Sequence, residues 1–307
     1  MSIVKSEPLN TREALTERLG AWVDRHLPAV FLSPTVAFLI LMMAFPIVFT
    51  LWLAFQNWIG GIAPAEFVGL ENFRQLIFED PRFWDALGHT FSFTALAVGA
   101  QVVIGVGVAH LLHREFVGRG IARSVFLLPM IATPVAVALV WRLMFQPDLG
   151  ILNDILASLG FAGLDWTASQ ASVIPALALV DTWEWTSFIA LIVLAGLSAL
   201  PEWPYEAALV DGANGWQTFW HVTLPMVRPV IIVAAVFRLI EALKTFDLIL
   251  VVTGGGPGFA SETMNVYAYR LGFQYQRLGY SAALLIVFFL IILGITALLL
   301  RFRKTSS

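Results

Sequence analysis

The chain has 307 residues, 59% of them hydrophobic and 13% charged, with a mean hydropathy of +0.81, whereas a soluble domain is nearer half apolar and a quarter charged. A net charge of -3 offers no basic excess for nucleic acid, and the absence of cysteine excludes disulfides, thiolate catalysis and cysteine metal sites. The five histidines (His26, His89, His110, His113 and His221) form no HExxH metal motif.

Residues 1–28 are polar, and the first long apolar run starts at Val30, so the N-terminus does not read as a cleavable signal peptide. Asn10 followed by Glu13 fits a capping box. Leu15, Leu19 and Trp22 then recur at helical spacing, which predicts either a short amphipathic helix on the inner membrane surface or a plain polar tail. Apolar runs long enough to cross a hydrocarbon core of about 30 Å predict six spans, near 31–55, 90–112, 122–145, 173–197, 228–253 and 280–300. The third is interrupted by Pro129 and Pro134 and the fifth by charges. Between the first two spans, proline-free 65–80 has room for a short surface helix.

The fourth span carries Asp181, Trp183, Glu184 and Trp185. A polar connection at 198–227 follows. Tyr205 to Val210 is a run of helix formers behind Pro201 and Pro204. Asp211 and Gly212 end it, because glycine takes the left-handed conformation that closes a helix. Asn214 and Gly215 restart the chain, and Trp216 to His221 form a second short helix. Leu224 and Pro225 then lead into the fifth span. Ala207, Ala208 and Gly212 are small enough for another protein to approach closely, and Glu206 offers a charge to that surface. The fifth span carries Arg238, Glu241 and Lys244, with Asp247 nearer its outer end. Residues three apart share a helical stripe. At about 1.5 Å of rise per residue, Arg238 and Glu184 both lie roughly 15 Å deep, which suggests that they pair. Charges within spans face the bundle interior or a wet cavity. Two readings stay open: ion pairs that lock two helices together, or a stripe along a translocation path with Trp183 or Trp185 as a stacking face. Gly254 to Gly256 reads as a flexible turn capping the fifth span.

Orientation follows from the basic residues. Lys5, Arg12, Arg18 and Arg25, then Arg114, Arg119 and Arg123, then Arg301, Arg303 and Lys304 fall on one side, which the positive-inside rule makes cytoplasmic. Both termini and the 198–227 loop are then inside. The expected organisation is a cytoplasmic segment 1–30, a six-helix membrane domain 31–300 with its coupling loop at 201–227, and a basic tail 301–307.

Glu206-Ala-Ala, Asp211-Gly-Ala, Phe219, Leu224-Pro225 and Pro229 together resemble the EAA loop of permease subunits in binding-protein-dependent ABC importers, in the form found in their carbohydrate branch. Val68 to Arg74 (VGLENFR) with Asp80 to Trp84 (DPRFW) resembles the first external loop of those permeases. Lys244 to Asp247 (KTFD) with Thr253 to Pro257 (TGGGP) resembles the end of their fifth span. The likeness runs from about residue 30 to 300. It implies an all-α integral membrane protein of the type I ABC importer permease fold, in a bacterial cytoplasmic membrane. It also implies partners: a second permease, a dimer of ATPase subunits and an external solute-binding protein. Glu206, Ala207 and Gly212 would seat in a cleft of the ATPase, within a motif that includes Ala208, Asp211, Ala213, Leu224 and Pro225. The implied cargo is a sugar, an oligosaccharide, a polyol or glycerol phosphate.

No GxxxxGK(S/T) phosphate loop is present, so ATP and magnesium belong to the partner. This chain is expected to hold no cofactor or metal and to be no enzyme. One rival is a carrier driven by an ion gradient, with Asp181, Glu184 and Glu241 relaying protons. A rhomboid-like protease is a weaker rival, since Gly196 to Ala199 (GLSA) lacks the second glycine and a well-placed histidine.

Overall fold

The computed structural model describes residues 26–60 and 64–304, so the amphipathic segment expected around Leu15, Leu19 and Trp22 lies outside the described residues. The chain divides into two compact units, Met1–Trp52 and Leu53–Ser307. The described part of the first is helix α1, Leu27–Ala54, whose last two residues belong to the second unit. Large apolar side chains are exposed along it from Phe31 to Trp52, as on a helix whose solvent is lipid or another membrane helix.

The second unit opens with a short antiparallel ladder, β1 (Gln56–Asn57) on β2 (Glu66–Phe67). Helix α2, Glu71–Phe78, is the surface helix expected within 65–80. Helix α3 runs from Pro81 to His113 and so begins well before the expected 90. Asp80 caps it: Oδ1 accepts the backbone N–H groups of Arg82 at 3.0 Å and Phe83 at 3.3 Å, and Pro81 sits where no N–H is needed.

The expected third span, 122–145, is two helices. α4 (Arg119–Ile131) and α5 (Pro134–Met144) meet at 94°. Proline disfavours helical backbone in the residue before it, and Thr133 is extended, with φ -74° and ψ 137°. Helix α6 (Ile151–Ser158) lies in the following loop, and α7 (Val173–Ser198) is the fourth span.

The connection beyond α7 holds α8 (Trp203–Val210) and α9 (Gly215–Thr218). The second short helix expected at 216–221 is not separate. α9 passes through a π-helical turn, Phe219–Thr223, directly into α10 (Leu224–Leu243). The fifth span, expected as one piece over 228–253, breaks at Lys244–Phe246 and resumes as α11 (Asp247–Val252). α12 (Met264–Tyr269), a second π-helical turn (Arg270–Gln274) and α13 (Leu278–Lys304) complete the chain.

Among the described residues, α1, α3, α7 and α13 are each long and apolar enough to cross a membrane, and the bent α4–α5 pair is so only when its two helices are taken together. The sixth expected span is α10 with α11, a broken segment carrying Arg228, Arg238 and Glu241.

Helices approach closely where residues are small. A Cβ at Gly105 of α3 would lie 2.8 Å from Ile189 of α7, and one at Gly196 would lie 2.9 Å from Val230 of α10. Two of the apolar layers lie on either side of the middle of α7. The first joins Phe93 and Ala97, Val137 to Trp141, Val173 to Val180, and Leu248 to Val252. The other joins Val106 and Ala109, Ile189 to Leu197, and Val227 and Ala234. Gly279, at the start of α13, is tighter still: a Cβ there would fall 1.8 Å from the Gln56 carbonyl oxygen. Gly279→Ala is therefore expected to cost about 1–3 kcal/mol by overpacking and to lower the melting temperature of the purified protein. Gly107→Ala, whose Cβ meets nothing within 4 Å, should leave it unchanged. Equal melting temperatures for both variants would contradict this packing.

Candidate functional site

Between the two apolar layers lies a polar one. On α7 it is Asp181, Thr182, Glu184, Thr186 and Ser187, all buried; on α3 it is Gln101, fully buried; on α10 it is Arg238. Arg238 pairs with Asp181 through Nη2 and Oδ2, and both side chains are 2% exposed. Gln101 Nε2 donates to the same Oδ2 at 2.8 Å and to the Asp181 backbone carbonyl at 3.0 Å. One carboxylate thus ties three helices together. This corrects the expected Glu184–Arg238 pair: the partner is Asp181, one helical turn away, because Gln101 holds that carboxylate in place.

Glu184 is 1% exposed, yet its Oε1 has no hydrogen-bond partner; neither has Arg238 Nε nor Gln101 Oε1. A buried polar group without a partner costs roughly 1–3 kcal/mol. Three such atoms lie around one ion pair. Asp181, Glu184 and Arg238 border a cavity of about 190 Å³, lined also by Trp185, Glu241, Lys244 and Asp247 among others. Both helix breaks open onto it, through Pro134 at the start of α5 and through Lys244, Thr245 and Phe246 between α10 and α11. Arg238 lies over the half-buried Trp185 ring, 5.1 Å from its centroid. At the mouth, Lys244 Nζ contacts Glu241 at 2.8 Å, and both are more than half exposed. The structure thus gathers seven of the eight stripe residues named from the sequence. The eighth, Trp183, points away and meets Trp141 edge-on at 5.8 Å. Gln101 went unread in the sequence, where a lone amide in an otherwise apolar second span was the available signal.

The connection between α7 and α10 is a sharply bent arm. Gly212 has φ +76°, the left-handed value that glycine accepts without strain. The Ala213 N–H donates back to the Ala208 carbonyl at 2.9 Å, closing α8. Asn214 and Gln217 form a reciprocal capping box with 2.9 Å bonds, which starts the next helix. Glu206, Ala207, Asp211, Gly212 and Pro225 are exposed, Ala213 and Leu224 are half-buried, and Ala208 is buried. Trp203, Leu209, Val210 and Trp216 expose large apolar surface around the bend, and nothing lies within 4 Å of where a Gly212 Cβ would stand.

The glycine run after α11 is bonded rather than loose. Thr253 Oγ1 accepts the Gly255 N–H at 3.1 Å, and Ser261 Oγ donates to the Gly256 carbonyl at 2.5 Å. Arg270 donates to the Gly254 carbonyl. Buried Glu262 binds Arg82 at 2.5 Å and Arg270 at 2.9 Å. Burial and a 2.6 Å hydrogen bond to Asp80 push the Tyr267 phenol up from its ordinary pKa.

Residues 101–304 match the family described as the binding-protein-dependent transport system inner membrane component. The chain is 36% identical over 287 residues to the sulfoquinovosyl glycerol transport system permease of Agrobacterium fabrum, covering 92% of each chain. It is 33% identical over 296 residues to the trehalose/maltose transport system permease of Thermococcus litoralis, covering 94% of this chain and 98% of that one. Its fold matches a chain of a bacterial ABC transporter that imports the acidic polysaccharide alginate, with a TM-score of 0.80 at 23% identity over 94% of this chain and 99% of that one.

Removing one partner of a buried ion pair strands the other charge, at a cost of about 3–5 kcal/mol. Arg238→Met alone should therefore lower thermal stability strongly, and adding Asp181→Asn should recover most of the loss. A double variant as unstable as Arg238→Met would refute the pairing.

Proposed function

The chain belongs to the family of binding-protein-dependent transport system inner membrane components, the ABC transporter permeases, and on that premise we propose that it forms half of an ATP-driven path for a sugar or a related polyol. The second half is another permease of the same type. Two ATPase subunits bind ATP and magnesium and drive the cycle, and an external solute-binding protein delivers the cargo. The bent arm at 201–227 is the ATPase coupling loop, with both chain termini on its side of the membrane.

One observation carries this reading: the helical run from the Asn214 cap through α9, the π-helical turn and α10 is continuous to Leu243. At about 1.5 Å per residue it spans roughly 30 Å between Thr218 and Arg238. A displacement applied to the exposed bend is thereby delivered to the cavity lining. The exposed Trp203, Leu209, Val210 and Trp216 supply the apolar contact area that a partner would bury, and exposed Glu206 adds a charge for orientation. ATP binding draws the ATPase subunits together and pulls the arm. The bundle then rocks to open the cavity outward, and hydrolysis resets it. In the cavity, Trp185 offers an aromatic face and the unpartnered Glu184 and Arg238 atoms offer an acceptor and a donor, the combination that suits a hydroxylated ring. The trehalose/maltose and sulfoquinovosyl glycerol relatives agree with a carbohydrate cargo.

A carrier driven by an ion gradient would leave the capped, exposed arm without a role. The test is a charge and a side chain placed at the bend. Gly212→Asp should cut uptake in the assembled transporter at least about tenfold, a loss of roughly 1.4 kcal/mol of coupling, while ATP hydrolysis continues uncoupled. Normal uptake in that variant, or uptake abolished by an ionophore while ATP is plentiful, would defeat the proposal.

A further inference from the structure

We propose that the corner between α3 and α4 holds the phosphate of an anionic membrane phospholipid. Three arginines build it: Arg114, just past the end of α3 at His113, and Arg119 and Arg123 in the opening turns of α4. Arg119 and Arg123 are four residues apart on one helix, a spacing at which like charges repel. They also stand at the positive end of the α4 dipole, where cations are disfavoured and anions favoured. The chain itself supplies no relief. The first turn of α4 has no acidic residue, and Gly118 at its N-cap makes no side-chain cap. Exposed Glu115 forms no ion pair with any of the three among the described residues.

The donors at this corner are held in place and largely unused. Arg123 Nη2 donates to the Leu112 carbonyl at 3.1 Å, which anchors that guanidinium at the end of α3. Arg114 reaches back along α3, its Nη2 3.3 Å from His110 Nε2. The Arg119 side chain makes no hydrogen bond or ion pair among the described residues, and the Nε atoms of Arg119 and Arg123 are both buried without a partner. The backbone N–H groups of Gly120 and Ile121, in the first turn of α4, find no acceptor there either. A phosphate, with several oxygens, answers guanidinium and backbone donors together. The surroundings favour a lipid over a free anion. Phe116 and Val117 expose apolar side chains at the turn itself, Val117 fully, and Ile121, Val125 and Leu128 extend the exposed apolar surface along α4. A headgroup bound here has its tails beside that surface. The His110 ring lies 4.8 Å from Phe219 of the π-helical turn, so the corner is at the arm's end of the bundle. The orientation proposed above puts that end in the cytoplasmic leaflet, where basic pockets between helices take anionic headgroups.

The test uses the complete transporter, this chain with its partner subunits, purified in detergent. It is titrated with phosphatidylglycerol or phosphatidylcholine, and bound lipids are counted by native mass spectrometry. Phosphatidylglycerol is expected to bind more tightly than phosphatidylcholine. Each basic residue beside an anionic lipid is worth about fivefold in affinity, so Arg119→Gln should weaken phosphatidylglycerol about fivefold and Arg119→Gln/Arg123→Gln about 25-fold, with phosphatidylcholine unchanged. Arg119 has no hydrogen bond or ion pair to lose, so the single variant remains readable should the double variant fail to assemble. Arg228→Gln removes an exposed charge outside the corner and should change neither lipid. Equal binding of the two lipids, as when a partner subunit covers the corner, would overturn the proposal. So would an undiminished affinity in Arg119→Gln, or an equal loss in Arg228→Gln. Displacement of phosphatidylglycerol by inorganic phosphate would show a site for free phosphate and overturn the lipid assignment.

Discussion

A charge inside an apolar bundle has to be answered by the bundle itself, and here the answer is the Asp181 carboxylate. It receives Arg238 from α10 and Gln101 from α3 while standing on α7. In hydrocarbon the alternative to such a contact is a stranded charge, so the arrangement fixes the rotation of all three helices about their axes. The apolar layers on either side then follow from small residues at the crossings, Gly105 against Ile189 and Gly196 against Val230. At that level Glu184 Oε1, Arg238 Nε and Gln101 Oε1 are left without a hydrogen-bond partner, and Glu184 and Arg238 line the same cavity.

The two helix breaks belong to the same logic. Backbone freed from hydrogen bonding is tolerated at membrane depth only where protein buries it or a wet cavity meets it. The break before Pro134 and the break at Lys244–Phe246 both sit on the cavity wall. The half-helices beyond them, α5 and α11, pack on each other in the first of the two apolar layers. That layer is closed off by the Glu262 bonds to Arg82 and Arg270, which join the start of α3 to the segment following α11. Buried charge and backbone irregularity therefore coincide, an arrangement that also occurs where membrane proteins hold polar cargo between discontinuous helices.

Much of this was legible in the residues. Runs of about 20 apolar residues give α3, α7 and α13 directly, because backbone satisfaction in lipid leaves little else such a run can be. The bend at Asp211–Gly212 was legible for a local reason, the need for a left-handed residue after α8. Three features were not. Hydropathy is blind to direction, so the 94° turn between α4 and α5 was visible only as Pro129 and Pro134 in a run that otherwise reads as one span. Leu224-Pro225 reads as the entry to a new helix, whereas the helix is already under way there. Depth arithmetic placed Arg238 level with Glu184 but carries no information about the angle around the helix axis. A third helix decided the pairing, and its contribution, Gln101, was one amide in a hydrophobic stretch.

The widened turn at Phe219–Thr223 separates two patterns that a regular helix would lock together. It is closed by the Leu224 N–H reaching the Phe219 carbonyl, and such a bulge places one extra residue in a helix. Side chains beyond it are therefore turned by about 100° from where the preceding α-helical periodicity would put them. It lies directly before Pro225, which has no N–H to contribute, so the chain carries the insertion where the regular ladder would be interrupted anyway. The azimuth at which Trp216 and its neighbours present themselves is in this way set independently of the azimuth at which Arg238 meets Asp181. The two ends of one rod can be tuned by separate sets of substitutions, so changes that reshape the exposed bend need not disturb the contact between Arg238 and Asp181.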